Sequence, residues 1–171
     1  MKNKFVFILI TCIISLCIVT GCNNSKNNNS TKESTGKVEY AGFEITLLDG
    51  YKAKEKDKKL TISNNKYEYT VTVDFNFSYN EYIKDLELKY PDSAEACKAT
   101  LDGKDYCAGM GAEAMSYYTA ADDNSTFIGT AKKHDGDYSK EDVKDILTML
   151  NNAKVKEKDT SYDVGGKELV W

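Results

Sequence analysis

Cysteines, a single histidine and an Asp-rich stretch near residue 135 are the groups in this 171-residue chain whose types and spacing could do chemistry. Cys97 and Cys107 flank Asp102-Gly103, a dipeptide suited to a tight hairpin. With a three-residue loop, Leu101-Asp102-Gly103, Thr100 faces Lys104 and Cys97 faces Cys107. That places the cysteines in a non-hydrogen-bonded pair, whose short Cα separation suits a disulfide. The alternative is two buried thiols, but an oxidising compartment favours the bridge, which would add roughly 2–3 kcal/mol for so short a loop. No Cys-x-x-Cys occurs, so the pair does not read as a redox centre. His134, beside Asp135, has the chemistry of a general base for a cysteine such as Cys107. The surrounding Lys132-Lys133-His134-Asp135-Gly136-Asp137 reads more simply as a surface loop. One histidine without partners at helical spacing does not make a typical zinc site. Asp135, Asp137 and Ser139 alternate as calcium-loop ligands do, yet Lys140 stands where that loop needs Gly and Ile146 where it needs Glu. Gly109-Met110-Gly111-Ala112-Glu113-Ala114 fits a loose dinucleotide fingerprint, but the element expected after it is a strand rather than a helix. The sequence thus nominates no catalytic residue, no cofactor and no metal.

Cys22 differs because of what precedes it. Lys2 and Lys4 open the chain, residues 5–19 form a 15-residue apolar stretch without a charge, and Val19-Thr20-Gly21-Cys22 closes it. A positive start, a short apolar run and small residues before a cut make a secretory signal. The run falls short of the about 20 residues that a spanning helix needs. The closing four residues resemble the lipobox of bacterial lipoproteins. The resemblance implies cleavage before Cys22, a diacylglyceryl group on the Cys22 sulfur, and a domain held at the extracytoplasmic face of a bacterial cell membrane. Two acyl chains suffice for stable anchoring, at about 0.8 kcal/mol per buried CH₂. The alternative is an uncleaved N-terminal anchor, which leaves the rest of the chain on the same side.

Residues 1–21 hold two of the 23 lysines and no acid, so the remainder carries 21 Lys against 27 Asp and Glu, a net charge of −6. No Arg occurs anywhere. Bidentate recognition of phosphate or guanine relies largely on Arg, so composition and charge both disfavour nucleic acid. Residues 23–37 are rich in Asn, Ser and Thr, with no apolar side chain, and read as a disordered tether. A flexible chain of that length spans on the order of 20 Å. Residues 38–171 then make one domain, a size usual for a single core.

Within it, Val38, Tyr40, Phe43, Ile45 and Leu47 predict a strand that ends at Asp49-Gly50, and residues 51–55 and 60–63 predict two more. Tyr67, Tyr69, Val71, Val73, Phe75 and Phe77 keep a strict period of two, the strongest strand signal in the chain. Ser78 and Glu81 form a capping box before Tyr82, Ile83 and Leu86, and Tyr90-Pro91 ends that helix. Strands are expected again over residues 97–101, 105–110, 114–120 and 126–132, with a short helix over residues 93–99 as the alternative for the first. Ser139 and Asp142 then cap a helix whose Val143, Ile146, Leu147 and Leu150 share one face. Short connections imply an antiparallel sheet of six to eight strands with two main helices packed on it, an α+β domain.

This order, together with Gly42-Phe43-Glu44-Ile45-Thr46-Leu47-Leu48-Asp49-Gly50-Tyr51, resembles the PsbP-like α/β/α sandwich, although Leu48 stands where that family usually has Pro. The resemblance implies a small extrinsic module for protein contacts at a membrane surface, usually without catalysis. The 12 Tyr and lone Trp favour a recognition surface, with Tyr117, Tyr118 and Trp171 as the candidate contact residues. The expectation is a lipid-anchored, non-catalytic binding or interaction module whose partner is an envelope protein or ligand. A cell-envelope hydrolase working through carboxylates, or an immunity- or inhibitor-type lipoprotein, is the alternative.

Overall fold

A computed structural model describes residues 33–111 and 113–165. Strands β1 (Glu33–Ser34), β2 (Lys37–Tyr40), β3 (Phe43–Thr46), β4 (Lys52–Lys56), β5 (Lys59–Ser63) and β6 (Tyr67–Asp74) come first. Helices α1 (Tyr79–Lys89) and α2 (Pro91–Cys97) follow, then β7 (Lys98–Leu101), β8 (Lys104–Met110), β9 (Met115–Asp122) and β10 (Ser125–Lys133). Helix α3 (Lys144–Asn151), entered through a 3₁₀ turn over Lys140–Val143, β11 (Lys154–Val155) and a last 3₁₀ turn over Thr160–Tyr162 complete the order. Among the described residues, eight strands form one antiparallel sheet in the order β1-β4-β5-β6-β10-β9-β8-β7, and β11-β3-β2 form a smaller one. The fold is α+β, as the pattern of short hairpins and capped helices predicts.

The inner face of the large sheet carries Leu60, Ile62, Tyr69, Val71, Val73, Tyr117 and Phe127, all buried. Against it lie α3, through Ile146, Leu147, Met149 and Leu150, and the small sheet, through Phe43 and Ile45. The Phe43 ring meets Phe127 edge-on at 4.8 Å. On the outer face α1 and α2 cover β8 to β10 and the end of β6: Tyr82, Leu86, Ala94 and Cys97 pack with Cys107 and Tyr118, and the Tyr82 hydroxyl donates to Asp74 at 2.5 Å. Ser78 caps α1, with both halves of its capping box formed, an arrangement worth about 1 kcal/mol.

Three expectations change. The run from Val38 to Leu47 is a hairpin, because its apolar alternation slips phase between Tyr40 and Phe43. There Ala41 and Gly42 adopt φ of 53° and 85°, the mirror-type turn. Strand pairing among the described residues starts ahead of Val38, since Glu33 and Ser34 pair with Lys54 and Ala53 along the edge of β4. The stripe of β6 stops at Asp74, whose Oδ1 accepts the N–H groups of Asn76 and Phe77 and turns the chain out of the sheet. Phe77 is consequently exposed. Cys22, with the signal and the first part of the tether, and Trp171 lie outside the described residues. Among the described residues no helix is long and apolar enough to cross a membrane.

A buried polar knot joins the sheet to α3. Asp142 accepts from the Tyr67 hydroxyl at 2.7 Å and from the Ser139 N–H at 2.7 Å, and pairs with Lys133 at 3.2 Å. Burial alone would raise its pKa, but those donors and the lysine outweigh it and hold the carboxyl below the usual range.

Candidate functional site

A concavity lies where β8 and β9 part company. Their pairing runs from Met110–Met115 to Tyr106–Thr119 and goes no further. Beyond that point β8 turns into the tight Asp102-Gly103 loop (φ 52° and 76°), while β9 follows β10 through a register shift at Ser125/Thr126. A bulge of this kind bends one strand away from its neighbour. The gap is a groove of about 530 Å³, bordered by Lys104 and Asp105, by Thr119 to Asp123, and by Ser78, Tyr79 and Asn80 at the start of α1.

Its chemistry is polar and acidic. Asp105 accepts from the Thr100 hydroxyl at 3.0 Å. Asp122 pairs with Lys158 at 2.7 Å and accepts the Asn124 N–H at 2.9 Å. Burial pushes the Asp122 carboxyl up, but Lys158, Asn124 and Ser125 together hold it below the ordinary value. Lys104 donates to the Asn151 carbonyl, and the Thr119 hydroxyl donates to Asn151 Oδ1 at 3.2 Å. Carboxylates on both walls suit a ligand that presents amino or hydroxyl groups.

The residues nominated from sequence fall elsewhere. The sulfurs of Cys97 and Cys107 lie at bonding distance, with Cα atoms 4.7 Å apart. The register differs from the expected one: the loop has two residues, Thr100 faces Asp105 and Lys98 faces Cys107. Cys97 is the last residue of α2, so the bridge ties helix to strand instead of strand to strand. Tyr117 and Tyr118 are not contact residues. Tyr117 is fully buried on the inner face and donates to the Thr70 carbonyl at 2.6 Å. Tyr118 is buried on the outer face against Tyr82, ring centroids 5.8 Å apart, and burial pushes its hydroxyl up to about 12. Consecutive residues of a strand point to opposite faces, and here both faces are covered.

His134 is exposed in the loop after β10, while Cys107 is buried under α2, so the two do not meet. Asp135 and Asp137 are exposed, and among the described residues no three His, Cys, Asp or Glu side chains converge as metal ligands. β8 runs to Met110 and the next element is strand β9 from Met115, with the Gly111 N–H on the Ala114 carbonyl at 2.9 Å. The groove residues were visible in the sequence only as parts of local elements: Ser78 as a helix cap, Asp105 and Thr119 in strands, and Asp122-Asp123 as a turn signal. Their proximity depends on the pairing of β7 through β10, which no local pattern reports.

Comparison with known protein families, with curated proteins and with solved structures returns no match.

Proposed function

We propose that this protein is a lipid-anchored binding module on the extracytoplasmic face of a bacterial membrane, without catalysis of its own. One observation carries the reading: Val19-Thr20-Gly21-Cys22 closes an uncharged apolar run that begins after Lys2 and Lys4. Export of this type delivers the chain to an oxidising exterior, where the Cys97–Cys107 pair at bonding distance is at home. The groove between β8 and β9 offers the partner a seat. Asp105, Asp122 and Asp123 beside Lys104 suit an amino- or hydroxyl-bearing ligand, or a projecting basic loop of an envelope protein. Three helices and a smaller sheet stacked on a central antiparallel sheet are also compatible with the extrinsic module that the PsbP-like resemblance implies.

Mass analysis of the chain recovered from membranes tests the anchor. The expected product starts at Cys22, carries a diacylglyceryl group, and gains the mass of two hydrogens on reduction. Cys22→Ser should yield an unprocessed or mislocalised form. A Cys22→Ser chain that matures and fractionates like the parent would end the proposal.

A further inference from the structure

Lysines are concentrated in one place. Five of the eight residues 52–59 are Lys, in a chain whose part after residue 21 is net negative. The strand pattern sorts them. Ala53 of β4 and Leu60 of β5 are buried, so Lys52, Lys54 and Lys56 point out of the opposite face, and exposed Lys59 lies across from Lys56. Lys132 of β10 is exposed on that same face. The floor beside them is hydroxylic: Lys54, Thr61, Thr70 and Thr130 form one row across four strands. Three acids sit nearby: Glu33, which pairs with Lys52 at 3.3 Å, Glu68, opposite Lys132 in the register, and exposed Asp57 in the turn between β4 and β5. Lys54, Lys56 and Lys59 have no carboxylate partner among the described residues. Helices α1 and α2 stop short of β4 and β5, so among the described residues nothing covers these lysines.

The chain entering from Cys22 arrives at the same edge. β1 pairs directly with β4, Glu33 opposite Lys54. Only residues 23–32 separate Cys22 from that strand, which at about 3.4 Å per residue allows a reach of at most roughly 35 Å. A lipid on Cys22 therefore keeps the β1–β4 edge, which borders the lysine face, within that reach of the bilayer.

We propose that the outer face of β4 and β5 is the membrane-facing surface of the anchored protein and docks on anionic phospholipid headgroups. The inference rests on the lipid-anchor reading for its geometry. Each lysine held within a Debye length of an anionic bilayer raises partitioning by roughly five-fold. The patch is therefore an orienting contact that adds to the anchor and weakens with salt.

The test uses the chain from residue 22 with Cys22→Ser, which has no lipid and keeps all the described residues. It is floated with phosphatidylcholine vesicles with and without phosphatidylglycerol. Flotation should require phosphatidylglycerol, fall with salt, and drop at least about 100-fold in K54E/K56E/K59E. The glutamates keep the edge charged, and circular dichroism with K54Q/K56Q/K59Q as a second variant guards against misfolding. Undiminished flotation of either variant, equal flotation without phosphatidylglycerol, or binding to soluble polyphosphate but not to vesicles would overturn the proposal. The lipidated protein in anionic vesicles should also protect Lys54, Lys56 and Lys59 from acetylation while exposed Lys84 and Lys144 react; equal reactivity would overturn it too. Failure of the anchor shows separately, as a Cys22 without lipid mass in membrane-derived protein, and leaves the flotation result standing on its own.

Discussion

The β8–β10 half of the large sheet and its β4–β6 half share one antiparallel ladder, yet they solve different problems. In the first half, neighbouring residues in sequence are both buried: Cys107 with Ala108, Tyr117 with Tyr118. Such strands need cover on both sides, and α3 supplies it within and α1 with α2 outside. In the second half burial alternates: Lys52, Lys54 and Lys56 face water while Ala53 is covered. A strand so patterned needs only one covering layer. The same backbone geometry thus yields a dry region that fixes the fold and a wet one free to meet a surface.

The largest effect should come from the seam between the halves. Gly129 of β10 lies beneath the Tyr117 ring, and a Cβ there would collide with that ring and with the Thr70 carbonyl. Gly129→Val should destabilise by more than about 4 kcal/mol, read as loss of the cooperative urea transition. Next comes the buried ion pair. Asp142→Asn leaves Lys133 without its partner and should cost about 3–5 kcal/mol. The folded Asp142 has a depressed pKa, so its contribution is present above the unfolded carboxyl value and fades as pH falls through the lower, folded one. Stability of the parent should therefore drop below about pH 4, and the Asn variant should show a flatter acid limb in the same titration. Cys97→Ala with Cys107→Ala should cost roughly 2–3 kcal/mol and loosen α2 in hydrogen exchange, leaving β4 and β5 unchanged. The smallest effect belongs to the open half: K54Q/K56Q/K59Q should move folding stability by less than about 0.5 kcal/mol. A larger loss would show that these lysines support the fold and would blur the contrast between the halves.

What was readable from sequence follows the same division. β6 and α3 announce themselves because their burial is periodic, and α1 because Ser78 and Glu81 cap each other locally. The β2–β3 hairpin is hidden by a single phase slip at Ala41-Gly42. The cysteine pairing is recovered from a wrong register because Lys98, the neighbour of Cys97, pairs with Cys107. One residue of error still leaves the two sulfurs in reach. Tyr117 and Tyr118 mislead because burial on both faces is a property of the helices stacked above, not of the strand. The groove is the least legible feature. Lys104 and Asp122 meet only after β7 to β10 assemble.

The short margins of the large sheet bear on how the protein behaves when crowded. β7 ends one side with four residues and β1 ends the other with two. The stretch of β4 beyond β1 is lined with lysines that repel a second positive edge. A sheet bounded in this way offers little template for another strand, so many copies gathered in two dimensions should remain separate molecules instead of growing into fibres.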